Sequence, residues 1–209
     1  MAADSGPSSI DAAIFGVIGG LLLAPGALGI DPGTPDCLPC DPADLPFFDR
    51  WAVAAPRPVW DHVSTGLLLG LAAATWWDLS RNGAGAPGKL LASMESAGLA
   101  AGLSFLAKAL VGRHRPVLYT TEAIDLADPA SHLDSWPSGH AAVAFALTTS
   151  YLLGRPGVSA SRAGRIGAMA VALAVAGLRI AAAKHFPSDV VAGAAVGVGS
   201  AVLVHSIRF

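Results

Sequence analysis

The chain has 209 residues, a mean hydropathy of +0.56 and only 13% charged residues, against roughly 25% in a water-facing domain. Its 13 Lys and Arg against 15 Asp and Glu leave a formal net charge of −2, which excludes the basic stripe that nucleic-acid binding requires. Disorder needs low hydrophobicity and high net charge, so it is excluded as well. Two cysteines cannot by themselves make a disulfide scaffold or a four-ligand zinc site. The expectation is a single all-α membrane domain over residues 1–209.

A bilayer core about 30 Å thick takes roughly 20 helical residues. Six segments approach that length, at 12–30, 62–80, 90–112, 138–154, 165–183 and 189–207. Helix is the natural form for them, because an open sheet edge does not survive in lipid. Their Ala and Gly content suits close helix–helix approach. Pro25 interrupts the first segment, and no positive n-region of the kind a signal peptide carries precedes it. Leu45, Phe47, Phe48 and Trp51, set among Asp44, Asp49 and Arg50, read as a short interfacial helix within 41–61, before the second span.

Alternating spans place residues 31–61, 113–137 and 184–188 on one face, and 81–89, 155–164 and the C-terminus on the other. The second face carries Arg81, Lys89, Arg155, Arg162, Arg165 and Arg208. It is cytoplasmic by the positive-inside rule once Lys108, Arg115 and Arg179 are set aside as site residues. Trp51, Trp60, Trp76, Trp77 and Trp136 near span ends suit an aromatic belt.

Three stretches carry chemistry. In Lys108-Ala-Leu-Val-Gly-Arg-His-Arg115-Pro116, seven residues separate Lys108 from Arg115, so on a helix the two share a face about 10 Å apart. A basic helix end that snorkels to headgroups explains Arg113 and Arg115. It does not explain an ammonium two turns inside a span, which costs on the order of 3 kcal/mol unless it faces a polar cavity. In Ser135-Trp-Pro-Ser138-Gly139-His140, a turn opens a helix whose free N–H groups and Ser138 hydroxyl form an anion site, or else Ser138 is an ordinary N-cap. In Arg179-Ile-Ala-Ala-Ala-Lys-His185-Phe-Pro-Ser-Asp189, a carboxylate four residues beyond an imidazole can hydrogen-bond one ring nitrogen and free the other. The alternative there is an Asp cap beside an interfacial His. All three stretches emerge on one face, bringing cations that match a phosphate's charge of about −1.5 to −2.

Together, Lys108-x6-Arg115-Pro116, Pro137-Ser138-Gly139-His140 and Arg179-x5-His185-x3-Asp189 resemble the tripartite signature of the type-2 phosphatidic acid phosphatase superfamily. Its integral-membrane branch also has six spans, with the motifs in the same loops. Leu178 stands where that family usually has Ser, and Trp136 where it commonly has Phe. The resemblance implies that His185 is the nucleophile, Asp189 its orienting carboxylate and His140 the general acid and base. It implies that Lys108, Arg115, Ser138, Gly139 and Arg179 bind the phosphate, with no metal ion and no cofactor.

The expected activity is phosphatase action on a lipid phosphate or diphosphate, phosphatidate-like or polyprenyl, through a phosphohistidine. A lipid phosphotransferase and a non-catalytic phospholipid-binding or transport protein are the alternatives. Membrane lipids are the expected surroundings, with a bacterial plasma membrane as location and the site on the extracytoplasmic face. His62 and His205 read as interfacial, Glu95 and Asp78 as structural. The acidic loop with Glu122, Asp125, Asp128, His132 and Asp134 reads as a lid or a solvated surface. Cys37 and Cys40 are spaced for a local disulfide.

Overall fold

The structure, a computed structural model, describes residues 9–31, 33–81, 85–155 and 162–209. Six α-helices account for most of them: α1 (Ser9–Ala27), α2 (Pro58–Arg81), α3 (Ala86–Val111), α4 (Gly139–Gly154), α5 (Arg162–Ala181) and α6 (Pro187–Arg208). No strand occurs among the described residues. Helices α1, α3, α5 and α6 are long and apolar enough to cross a membrane. The shortest, α4, has 16 residues, and α2 carries Asp61 and Arg81 in its end turns. Large apolar side chains such as Leu69, Leu110, Leu173 and Val191 face outward on the bundle surface, as a lipid-facing wall requires.

Local chemistry sets the helix ends. Pro58 and Pro187 open α2 and α6, positions where a missing N–H costs nothing. Gly112, in the left-handed region at φ 59°, closes α3 and donates its N–H to Lys108 O. This is a turn that disfavours any side chain with a Cβ. The chain therefore leaves the helix at Arg113, and Arg115 is extended at φ −79°, ψ 158°. The expectation that Lys108 and Arg115 share a helix face is thus overturned: Gly112 ends the helix before Pro116 can.

Helix α4 is the centre of the bundle and packs against α2, α3, α5 and α6. Ala141, Ala142, Ala144 and Ala146 are wholly buried along it. On α6, a Cβ at Gly193 would overlap Ser138 O, and one at Gly197 would overlap Ala142 O. These two glycines bring the α6 backbone onto the first turns of α4. At the far end, Arg208 of α6 pairs with Asp11 of α1 and with fully buried Glu95 of α3. That pairing agrees with a structural role for Glu95. Asp78 accepts a hydrogen bond from Tyr151 at 3.0 Å and lies 3.4 Å from Arg155.

Two further expectations differ in detail. The segment before α2 is helical only in two single 3-10 turns, Pro42–Asp44 and Arg50–Ala52. Pro42, Pro46, Pro56 and Pro58 break any longer run. His205, read as interfacial, is buried and shares a 2.8 Å hydrogen bond with Ser150 between α4 and α6. Residues 82–84 and 156–161 of the two connections assigned to the other face lie outside the described residues.

Candidate phosphate-binding site

The loop from Ala182 to Phe186 carries His185 into the protein interior. Ala183 adopts a left-handed φ of 56°, and the turn is closed by Ala183 N–H to Ile180 O at 2.9 Å and Lys184 N–H to Arg179 O at 3.2 Å. His185 is 2% exposed. Its Nδ1 lies 2.6 Å from Ser135 O, which fixes Nδ1 as the protonated nitrogen because a carbonyl only accepts. No partner occupies Nε2 among the described residues. Burial pushes the imidazole down to about 4, the Lys108 and Arg179 charges add to that, and Asp189 opposes it. At neutral pH the ring is therefore uncharged, with a lone pair on Nε2.

Asp189 is fully buried, and its nearer oxygen is 3.8 Å from His185 Nδ1, beyond hydrogen-bond reach. The direct Asp–His hydrogen bond expected from the spacing is replaced by an indirect link. Asp189 Oδ2 accepts from Ser135 Oγ at 2.6 Å and from the Phe186 N–H at 2.7 Å, and the Ser135 carbonyl holds the imidazole. Asp189 thus caps α6 and reaches the imidazole only through Ser135.

Cations converge from separate elements. Lys108 Nζ donates to Asp134 O at 2.5 Å and to its carboxylate at 3.3 Å. Arg115 approaches the same carboxylate through Nε at 2.6 Å and Nη2 at 2.8 Å. Arg179 is 4% exposed and binds Asp61, with Ser64 Oγ at 3.0 Å. Lys184 lies 3.4 Å from Asp61. Burial alone would raise the Asp134 carboxyl, but Arg115 and Lys108 hold it below its ordinary value. Asp134 and Asp61 thus act as counter-ions to the cationic cluster.

At the start of α4 the Ser138 N–H donates to Asp189 O at 2.9 Å, joining the two motif helices. The Ser138 side chain makes no capping bond, and its buried hydroxyl has no partner among the described residues. Two residues on, His140 Nε2 lies 3.1 Å from Thr65 Oγ1 of α2. Beneath them, Leu68, Ala101, Phe105 and Val143 line a cavity of about 290 Å³ that reaches Lys108, Gly139 and His140.

The structure therefore gathers Lys108, Arg115, Ser138, Gly139, His140, Arg179, His185 and Asp189 at one end of the bundle. Sequence reasoning missed Asp49, Asp61, Thr65, Arg113 and Ser135 as parts of this cluster, and assigned Asp134 only to an acidic loop. Arg113 binds Asp189, Ser188 Oγ at 2.6 Å and Asp49 at 2.7 Å. The signal available was Gly112, which takes Arg113 off the helix end where snorkelling had been assumed. Cys37 and Cys40 form a disulfide. Asp36 and His114 stand close enough to complete a metal-ligand set with them, but bonded sulfurs are not the thiolates a metal needs.

An all-helical bundle with apolar, membrane-length helices and a cluster of cations at one end fits an integral membrane protein. The sequence pattern of the PAP2 superfamily matches residues 89–209, more than half of the chain, and the protein belongs to that superfamily. Comparison with curated proteins and with solved structures returns no match. Membership in a phosphoesterase family supports phosphatase action on phosphoesters.

Proposed function

We propose that the protein hydrolyses the phosphate monoester or diphosphate of a membrane lipid through a phosphohistidine on His185. The observation that carries this reading is the uncharged, buried imidazole, pinned at Nδ1 and unoccupied at Nε2, beside Lys108, Arg115, Arg179 and an unpartnered Ser138 hydroxyl. Nε2 attacks phosphorus as the bond to the leaving oxygen breaks. His140, which takes up a proton once the bound phosphate's negative charge offsets the Arg179, Lys108 and Arg115 charges around it, delivers that proton to the leaving oxygen. Neutral His140 then takes a proton from water. The water oxygen attacks phosphorus, the N–P bond breaks, and inorganic phosphate leaves with His185 restored. Lys108, Arg115, Arg179, the Ser138 hydroxyl and the Gly139 N–H hold the non-bridging oxygens as charge builds.

A lipid substrate is supported by the apolar cavity beneath Lys108 and His140, which suits the first carbons of a chain whose headgroup reaches the cations. The extracytoplasmic placement is supported by the Cys37–Cys40 disulfide on the catalytic face, since disulfides persist in oxidising compartments. The test is phosphate release in detergent micelles from phosphatidate, phosphatidylglycerol phosphate, diacylglycerol pyrophosphate and undecaprenyl diphosphate. Wild type is expected to release phosphate from at least one of them, and His185→Ala from none. Lipid binding without release from any would overturn the reading in favour of a carrier. Release that needs an added alcohol would favour a transferase.

A further inference from the structure

Asp49 lies 140 residues before Asp189 in the chain, in the loop that precedes α2, yet it is fully buried. A buried carboxylate costs several kcal/mol unless it is paired and hydrogen-bonded, and among the described residues the partners of the Asp49 carboxylate, Arg113 and Ser188, both lie within motif stretches. Oδ2 accepts from Arg113 Nη2 at 2.7 Å and from Ser188 Oγ at 2.6 Å. Oδ1 accepts from the Ser188 N–H at 3.1 Å. The other guanidinium nitrogen, Arg113 Nη1, reaches Asp189 Oδ1 and Ser188 Oγ. Arg113 Cζ also sits 4.8 Å from the centre of the Phe186 ring, beside His185. Leu45, Ala52 and Phe186 pack together in one buried apolar cluster.

Resting on the phosphohistidine reading, we propose that Asp49 and Arg113 are positioning residues for the nucleophile, acting on His185 through Asp189 and Ser135. The link is continuous. Asp49 orients Arg113, and Arg113 takes Asp189 Oδ1, leaving Oδ2 to accept from Ser135 Oγ. The Arg113 carbonyl also accepts the Ser135 N–H at 3.0 Å, so both ends of Ser135 are set by this unit. Ser135 O then fixes the imidazole at Nδ1. Charge makes the same assignment. Arg113 alone would cancel the Asp189 carboxylate, whereas Asp49, Arg113 and Asp189 together keep one net negative charge near the ring when it becomes a phosphoimidazolium. Both side chains are committed to the Ser188–Asp189 side of the cluster rather than to the Lys108, Arg115 and Arg179 cations, so the effect belongs to the chemical step rather than to binding.

The experiment measures kcat, KM and vanadate inhibition in phosphate release, with rapid-quench trapping of the phosphoenzyme, for wild type, Asp49→Asn, Arg113→Lys and the double variant. A small misplacement of a reacting group costs up to about 100-fold. Each single variant is therefore expected to lower kcat by about 10- to 100-fold and slow phosphoenzyme formation, with KM within about twofold and vanadate, a transition-state mimic, weakened alongside kcat. The double variant is expected to lose no more than the worse single, because the two act as one unit. If Asp49→Asn does not fold in detergent, Arg113→Lys keeps the buried charge and carries the same expectation. Wild-type kcat in the folded variants, additive losses, or a loss confined to KM would overturn the assignment. A wild-type protein that releases no phosphate would instead refute the proposed function itself.

Discussion

Removing the Ser138 hydroxyl should separate activity from stability in opposite directions. The hydroxyl is buried, makes no helix-capping bond and has no partner among the described residues. The usual cost of about 1 kcal/mol for Ser→Ala at an N-cap therefore does not apply. Deleting an unsatisfied buried hydroxyl relieves part of a desolvation penalty of about 1–3 kcal/mol. In the reaction the same hydroxyl would donate to a charged phosphoryl oxygen, a bond worth about 1.5–3 kcal/mol, which corresponds to a loss of about 10- to 150-fold in kcat/KM. Ser138→Ala is thus expected to fall by that factor in a phosphate-release assay, while its thermal midpoint in detergent holds or rises. Vanadate should also protect the variant less than it protects wild type. A variant with wild-type kcat/KM and a midpoint lowered by the equivalent of about 1 kcal/mol would show that the hydroxyl caps the helix, and the reasoning would fail.

Gly193→Ala and Gly197→Ala set a Cβ against backbone carbonyls of α4. Each should lose at least the 1–3 kcal/mol typical of overpacking, together with activity, whereas Gly199→Ala, with nothing within 4 Å, should leave activity unchanged and raise stability by about 0.5–1 kcal/mol. Ala183→Gly relieves a left-handed φ of 56° and is expected to raise stability by about 0.5–1 kcal/mol, read as a higher thermal midpoint. His185 titrates near 4 in the folded chain, below its ordinary 6.5. Its contribution is therefore fully present above pH 6.5 and lost as pH falls toward 4, because the unfolded chain takes up the proton first. The thermal midpoint should drop across that window, and less so in His185→Asn. The Cys37–Cys40 disulfide closes a loop of only a few residues, so replacing both with Ser should cost about 2 kcal/mol or less. Little change in kcat is expected, since neither sulfur belongs to the phosphate cluster.

How far the site can be read from the sequence depends on whether a residue's role is local. Gly112, Pro116, Pro137 and Pro187 punctuate the chain by their own backbone geometry, so the helix ends next to the motifs are legible without a fold. Lys108 announces itself because an ammonium inside an apolar run needs a polar destination. Asp49 carries no such mark: among Pro46, Phe47, Phe48 and Trp51 it resembles any charge at a membrane interface. Only the packing of Leu45 and Ala52 onto Phe186 shows it to be buried. Asp134 and Asp61 are similar, since acidic residues in loops and helix first turns are ordinary until four cations are seen to converge on them. The spacing of His185 and Asp189 suggested a direct hydrogen bond, but Ser135, fifty residues earlier, takes the ring nitrogen and the carboxylate takes Ser135.

By itself the sequence determined the material and the alphabet of this protein. Apolar runs of membrane length must be helices because lipid offers no partner to a free backbone group, and three spaced motifs name the chemistry to be assembled. Which nitrogen of His185 is held, which carboxylates balance the cations, and how Asp49 reaches Asp189 were decided only in three dimensions. Hydrogen bonds act over about 3 Å, and residues 49, 113, 135 and 189 come within that distance only once α4 and α6 close on one another across Gly193 and Gly197.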